Sequence, residues 1–261
     1  MHSFFSIADK VAIVTGGSSG IGKATAERFS RAGASVIVAA RGDATEFAKG
    51  IGATFIKTDV SNEADVKNMV GQVVEMHGRI DVLVSNAGFF GNTIDLTEKN
   101  AAEFQRCFDV NTFGTFYAIK HCAPHMSSGS SIICTTSLAS IIGLPGYSDY
   151  TASKWATSGI VRCAAMELGA KGIRVNEVCP SSTNTPMLMN QDSAQAEIAL
   201  TTTAAAIGNL VEPEELAALI HFVAASDCPT LTGQRIAIDG GISAGFSGSA
   251  INAILTAKGF A

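Results

Sequence analysis

The sequence predicts an α/β fold: a doubly wound, seven-stranded parallel sheet formed by a single domain. Three observations carry this. Short apolar, β-branched runs alternate with helix-period segments along the chain, which is the pattern of βαβ units. The runs are unbroken instead of alternating polar with apolar, as strands covered on both faces are. No internal repeat and no Pro- or Ser-rich linker divides the 261 residues, a length that one large α/β domain can fill.

The strand runs are KVAIVTG (10–16), ASVIVAA (34–40), ATFIKT (53–58), IDVLVSN (80–86), SSIICTT (130–136), IRVNEVC (173–179) and QRIAID (234–239). Helices are expected over 20–32, 62–77, 98–125, 150–170 and 212–225. The helix at 62–77 is preceded by Ser61, and Glu63 and Asp65 suit its first turn. Between the second and third strands RGDATEFAKGIG leaves room for only a turn or two of helix. For such a fold the expected strand order is 3-2-1-4-5-6-7. Residues 181–211 break the rhythm, are rich in Thr, Ala and Met, and contain no Lys or Arg. An excursion of this kind in a compact domain predicts a substrate lid. Residues 242–261 read as a partly apolar tail.

Composition narrows the function classes. The chain has 18 bases against 23 acids, a net charge of -5, and 47% apolar residues. Disorder is excluded by that apolar content. Nucleic acid is not an expected partner, because phosphate backbones require clustered Lys and Arg and no such cluster exists. No apolar run approaches the ~20 residues of a membrane span. The opening MHSFFSIADK lacks a basic segment followed by a long apolar stretch, so a short N-terminal turn is expected there, not a signal peptide. The six cysteines (107, 122, 134, 163, 179 and 228) form no C-x-x-C pair and have no zinc spacing. They are expected to be reduced core residues of a cytoplasmic protein, with no metal.

The first strand runs into Thr15-Gly16-Gly17-Ser18-Ser19-Gly20-Ile21-Gly22, and a helix follows. Glycine permits positive φ and close backbone approach, and a helix N-terminus offers free N–H groups to a pyrophosphate. This predicts dinucleotide binding by Gly16, Ser18, Ser19, Gly20, Ile21 and Gly22. Where a fold of this kind that prefers NAD carries an acid at the end of the second strand, this chain has Ala40-Arg41. Arg41 could pair with a 2′-phosphate, which favours NADP. Asp43 lies two residues on and keeps NAD as the alternative.

The spacing G-x-x-x-G-x-G resembles the glycine turn of the short-chain dehydrogenases/reductases. Further segments are similar to that family over roughly 10–241. Asp59-Val60 follows the third strand, where the resemblance places the adenine ring. Asn86-Ala87-Gly88 resembles the family's N-N-A-G, with Ser85 in place of its first Asn. Tyr150-Thr151-Ala152-Ser153-Lys154 opens the helix 150–170, and a spacing of four puts Tyr150 and Lys154 on one helix face. Tyr has an unperturbed pKa near 10, too high for good acid–base work at neutrality. A neighbouring ammonium is expected to lower it. With Ser137 at the end of the fifth strand and Asn111 in FDVNTFG, these residues resemble the family's catalytic tetrad.

The resemblance implies that Tyr150 exchanges a proton with the carbonyl or alcohol oxygen and that Lys154 holds the nicotinamide ribose. It also implies that Ser137 orients the substrate oxygen and Asn111 holds a relay water. Asn176-Glu177-Val178-Cys179-Pro180 resembles the family's N-x-V-x-P. Ser181 then stands where the family usually has Gly, so a residue with a Cβ must adopt negative φ or bear strain. Pro180, Thr183 and Thr185 are assigned to the nicotinamide end, with Thr185 as a partner for the carboxamide. Asp239-Gly240-Gly241 also matches.

The cleft walls are expected from 88–95, 138–149 and 181–210. They offer Phe89, Phe90, Leu138, Ile142, Leu144, Tyr147, Met187, Leu188 and Met189. Such a pocket under a lid without cations predicts a neutral, mostly apolar ketone or secondary alcohol, with hydride passing to or from nicotinamide C4. NADPH-dependent ketone reduction is favoured. NAD-dependent oxidation of a secondary alcohol, of dihydrodiol or hydroxysteroid type, is the alternative, and a non-catalytic cofactor-binding protein is a more remote one. The resemblance also implies a homotetramer, or a homodimer, assembled through the helices 98–125 and 150–170.

Overall fold

The structure, a computed structural model, describes residues 4–260. Residues 1–3 of the expected N-terminal turn and residue 261 of the tail lie outside the described residues. Seven strands form the sheet: β1 (Val11–Thr15), β2 (Ser35–Ala40), β3 (Thr54–Lys57), β4 (Val82–Ser85), β5 (Ser131–Thr135), β6 (Arg174–Pro180) and β7 (Arg235–Ile238). Their order is β3-β2-β1-β4-β5-β6-β7, as the alternation predicts, and every pairing is parallel.

The unbroken apolar runs have the expected cause. Along β1, Val11 and Ile13 point to one face and Ala12 and Val14 to the other, and all four are buried. On the first face lie α3 (Glu63–His77), α5 (Gly114–Cys122) and α6 (Ser148–Gly169), through Val66, Met69, Ile119 and Val161. On the second lie α1 (Gly20–Arg31), the one-turn α2 (Thr45–Gly50) and α9 (Pro213–Ala224), through Phe29, Ala48, Ile220 and Val223. Burying a side chain such as Phe29 contributes about 1.5–3 kcal/mol, so these two layers hold the sheet. Strand β7 differs from the expectation of full burial. At the sheet's edge, its residues are partly or fully exposed.

Two other local expectations are corrected. Asn62, not Ser61, caps α3: its side chain accepts from the Ala64 N–H at 2.9 Å, while the Ser61 hydroxyl donates to Asp59 at 2.7 Å. The helix expected over 98–125 is not continuous. It divides into α4 (Ala101–Cys107), a π-helical turn (Phe108–Phe113), α5, and a 3-10 turn (Ala123–His125). A π turn carries extra backbone into the helix and is weaker than regular α. Tertiary hydrogen bonds to Asn111, described below, stabilise it here.

The segment 181–211 contains α7 (Pro186–Met189) and α8 (Ala194–Ala204). The tail forms a 3-10 turn (Ile242–Ala244) and α10 (Gly248–Ala257), which packs on α8; the Ser247 hydroxyl donates to Thr203 O at 2.8 Å. Among the described residues no cysteines are paired. Cys107, Cys122, Cys134 and Cys179 are buried, but Cys163 is exposed on α6 and Cys228 half-buried, so the core assignment holds for four. No helix among the described residues is long and apolar enough to cross a membrane, and no cluster there could hold a metal ion.

Gly22 shows how tightly the first crossover is built. A Cβ there would run into Gly16 O and the Asn86 amide. Gly22→Ala is expected to destabilise the protein by about 1–3 kcal/mol, the range for overpacking a filled interior. Denaturant unfolding would measure it, and an unchanged midpoint would contradict the packing described.

Candidate active site

All strands run the same way, so the ends of β1, β2, β4, β5 and β6 meet along one edge of the sheet. The order reverses between β1 and β4, and ligands of open α/β sheets bind at such a point. A cleft of about 750 Å³ opens there.

Its first wall is the glycine turn. Gly16 adopts φ +65°, and its N–H donates to Ala39 O at 2.8 Å. Thr15 Oγ1 accepts from the N–H groups of Asn86 and Ala87, and Asn86 Nδ2 donates to Thr15 O at 3.1 Å. These bonds lock the turn to the end of β4. Ser18, Ser19, Gly20 and Ile21 line the cleft. Ser19, the N-cap of α1, makes no side-chain bond to the helix amides, so the first turn of α1 keeps free donors for an anion. Gly22 does not line the cleft. Contrary to expectation it is a packing residue, and helix and strand close behind the turn because it has no Cβ.

The next wall is Ala40, Arg41, Gly42, Thr58, Asp59 and Val60. Arg41 is exposed at the mouth. Asp43, by contrast, faces α2: its Oδ1 accepts from the N–H and the hydroxyl of Thr45 at 2.9 and 2.6 Å. Partial burial raises the Asp59 pKa, but hydrogen bonds from Ser61 and the charges of Arg41 and Arg106 outweigh it and leave it below the ordinary value. Asn86, Ala87 and Gly88 complete this side.

The structure brings Ser137, Tyr150 and Lys154 together at the cleft floor. Ser137 follows β5 in extended backbone, and its Oγ accepts from the Ala139 N–H at 3.1 Å. Lys154 is buried, with Nζ 5.4 Å from the centre of the Tyr150 ring, and donates to Thr135 O at 2.9 Å. Burial pushes the Tyr150 phenol up to about 12, although a hydrogen bond with Ser137 pulls the other way. Burial also pushes Lys154 down to about 8. The expected lowering of the Tyr150 pKa by its neighbour is therefore corrected. In this structure desolvation wins, and at neutral pH the phenol holds its proton.

Asn111 does not line the cleft. It is buried in the π turn, where its side chain braces the floor. Oδ1 accepts from the Phe89 N–H at 2.7 Å, and Nδ2 donates to Phe89 O and to Ser153 Oγ, both at 2.9 Å. Its carbonyl accepts from Thr115 and Thr157 hydroxyls at 2.9 and 3.1 Å. A second brace holds Tyr150 itself: Asp149 Oδ1 accepts from the Tyr150 N–H and from Lys99 Nζ, both at 2.8 Å, in an almost fully buried ion pair. Nothing in the sequence motif pointed to Lys99, which lies 50 residues from its partner.

At the far end of β6 the cleft is lined by Pro180, Ser181, Ser182, Thr183, Thr185 and Pro186. Ser181 sits at negative φ, so its Cβ brings no strain. Its hydroxyl is buried and has no partner among the described residues.

Phe90, Leu138, Ile142, Leu144, Tyr147, Met187 and Leu188 of the expected residues line the apolar side of the cleft. The Phe90 ring lies 4.9 Å from Tyr150 and 5.1 Å from Tyr147. Two expected members are absent. Phe89 turns away to pack on the core, under the Arg106 guanidinium at 4.2 Å, because Asn111 fixes its backbone. Met189 ends α7 exposed to solvent. Residues 92–95 contribute nothing to the wall. Gln191, Glu197, Leu200, Thr201 and Ala204, within the expected segment 181–210 but not singled out, also line the cleft, as does Ile242 from outside it. The i, i+3, i+4, i+7 spacing of 197, 200, 201 and 204 is the signal that would have marked one face of α8.

Comparison with known proteins agrees with this geometry. Residues 16–243 match the family model of enoyl-(acyl carrier protein) reductase. The chain is 40% identical over 252 residues to Short-chain dehydrogenase reductase 4 of Arabidopsis thaliana, covering 90% of this chain and 82% of that protein. It is 34% identical over 253 residues to trans-4-hydroxycyclohexanecarboxylate dehydrogenase of Sinomonas cyclohexanicum, covering 92% and 95%. Ligand-free aldohexose dehydrogenase of Thermoplasma acidophilum has the same fold, with a TM-score of 0.85 at 31% identity, over 93% of this chain and 97% of that one. The chain belongs to the short-chain dehydrogenases/reductases. It is an oxidoreductase of that family, and its fold implies a nicotinamide cofactor.

The Lys154 pKa yields a prediction. A lysine whose folded pKa is about 8 against an ordinary 10.5 binds fewer protons folded than unfolded between those values, so it adds stability as pH rises through that window. Wild type is expected to gain stability relative to Lys154→Met between pH 8 and pH 10. Urea midpoints at the two pH values would measure this, and parallel curves would contradict it.

Proposed function

We propose that this protein is an NADPH-dependent reductase of neutral, mostly apolar ketones. The observation that carries this reading is the Tyr150 phenol. It stands beside the Ser137 hydroxyl in a wall of Phe90, Leu138, Ile142, Leu144 and Met187, where burial favours its neutral form. Ketone reduction requires a proton for the carbonyl oxygen, and a protonated phenol beside the Ser137 hydroxyl is placed to supply it.

The cleft fits a dinucleotide: α1 presents uncapped amides, and small residues at Gly16, Gly20, Ala87 and Gly88 let backbone approach closely. Gly16, Ser18, Ser19, Gly20 and Ile21 would hold the pyrophosphate. Arg41 would hold a 2′-phosphate, with Asp59 and Val60 near the adenine. Lys154 and Tyr150 would hold the nicotinamide ribose, and Thr183 and Thr185 the carboxamide. A nicotinamide bound there supplies the hydride from C4. Ser137 orients the substrate oxygen, and Tyr150 protonates it. Lys154 carries a positive charge against the ribose and Tyr150, and Asn111 fixes the floor on which both rest. Arg41 at the mouth and the commitment of Asp43 to Thr45 both support NADP over NAD.

Arg41, Asp59, Lys154 and Glu197 are the charged residues of the cleft wall among the described residues. The lid brings no cation to dock the phosphate of a carrier thioester, which favours a small neutral ketone over the acyl carrier substrate named in the family model. A relative named trans-4-hydroxycyclohexanecarboxylate dehydrogenase is in keeping with a cyclic substrate, although the substrate in that name carries a carboxylate. Reduced, unpaired cysteines favour a cytoplasmic setting. Trp155 and Met166 of α6 and Phe113 and Phe116 beside and on α5 are exposed, which supports a homotetramer formed through these helices.

Tyr150→Phe is expected to bind NADPH normally and to lose about 100- to 10,000-fold in kcat; retained turnover would overturn the mechanism. Arg41→Asp is expected to shift the NADPH-to-NADH preference by about tenfold or more, the worth of one charge-assisted contact. Steady-state rates with both cofactors and a panel of neutral ketones would measure it, and an unchanged ratio would reject the role of Arg41.

A further inference from the structure

The lid carries one carboxylate into the substrate wall, at a hydroxyl-lined patch beside its apolar residues. Glu197 lies on α8 and lines the cleft together with Tyr147, Ser182 and Thr201. Its Oε2 accepts from the Tyr147 phenol at 3.2 Å and its Oε1 from the Ser182 hydroxyl at 2.7 Å. Ser182 in turn lies 2.8 Å from Thr201 Oγ1. The network joins three walls: α8, the loop after β6, and the segment before α6. The helix carrying Glu197 is itself anchored, because Ser247 at the start of α10 bonds its Thr203 carbonyl.

A carboxylate has about four acceptor positions, and these bonds use two. The others remain for donors entering from the cleft. Tyr147, whose phenol bonds Glu197, and Tyr150 both pack on the Phe90 ring, at 5.1 and 4.9 Å, so a substrate whose carbonyl meets Tyr150 brings its other substituents near Glu197. A hydroxyl there gains a hydrogen bond to a charged acceptor. A carboxylate there meets a like charge in a partly desolvated pocket.

We infer that Glu197 determines specificity: it selects ketones bearing an additional hydroxyl within reach of the carbonyl and rejects those bearing a carboxylate there. The inference rests on the ketone reading above and sharpens its substrate class. The apolar wall takes the ring or chain, and Glu197 takes one hydroxyl.

The test compares cyclohexanone, its positional hydroxy isomers and oxocyclohexanecarboxylate with NADPH, using wild type, E197Q, E197A and Y147F. In wild type at least one hydroxy isomer is expected to exceed cyclohexanone in kcat/KM by about tenfold, as one hydrogen bond to a charged group gives. E197A should bring that ratio to near one. E197Q should raise the carboxylate's kcat/KM relative to cyclohexanone by about tenfold or more. Y147F loosens the lid contact but keeps the charge, so it should leave the carboxylate rejected. If E197Q and E197A lower all substrates by one common factor, Glu197 only latches the lid and the inference fails. It fails equally if no hydroxy isomer is preferred. If wild type reduces none of the ketones, the proposed function fails instead. The inference is then decided by titrating NADPH-loaded protein with cyclohexanol, cyclohexanediols and cyclohexanecarboxylate, following cofactor fluorescence. Tighter binding of a diol, lost in E197A, supports it, and equal affinities overturn it.

Discussion

Parallel pairing of the strands is the constraint on which the rest of this molecule depends. Because every strand points the same way, Thr15, Ala40, Ser85, Thr135 and Pro180 all end on one edge. Residues scattered over more than 160 positions of sequence thereby become neighbours. The reversal of order between β1 and β4 leaves a crevice at that edge, and no side chain of the sheet itself fills it. Each chemical group then needs only to follow a strand: the glycine turn after β1, Arg41 after β2, Ser137 after β5, Ser181 to Thr185 after β6.

Burial sets charge at the floor of the cleft. Tyr150 and Lys154 are moved in opposite directions by the same cause, loss of water, which penalises phenolate and ammonium alike. The result is a protonated phenol beside a lysine that gives up its proton more easily than usual. Around them the protein uses hydrogen bonds to hold position. Asn111 spends its whole amide on Phe89 and Ser153, and Asp149 ties the Tyr150 N–H to Lys99. A buried ion pair of that kind adds little net stability over an apolar pair, but losing one partner is costly. It fixes the start of α6, and with it the direction of the Tyr150 ring.

The lid follows a different logic. Its helix α8 rests on the tail helix and on hydroxyl-to-carboxylate bonds, not on the sheet core. One wall of the cleft thus comes from the part of the chain least determined by the strand pattern, as functional loops on a rigid scaffold commonly do.

The sequence by itself determined the sheet, its order, the glycine turn and the Tyr150–Lys154 pair, because each is written in short-range spacing: apolar runs, glycines at a turn, two side chains four residues apart. Tertiary structure decided what depends on distant partners. The π turn at Asn111 exists because Phe89 and Ser153 are there to bond it, and the same bonds turn Phe89 out of the pocket. Lys99 acquires its role only when the fold brings it to Asp149. The Tyr150 phenol rises instead of falling because the depth of its burial cannot be read from a neighbour's charge. Glu197 reads as one acid in an Ala- and Thr-rich stretch until the fold sets its carboxylate in the cleft wall against Tyr147 and Ser182. Periodicity records which face of an element is covered, whereas hydration and long-range pairing arise only when the elements meet.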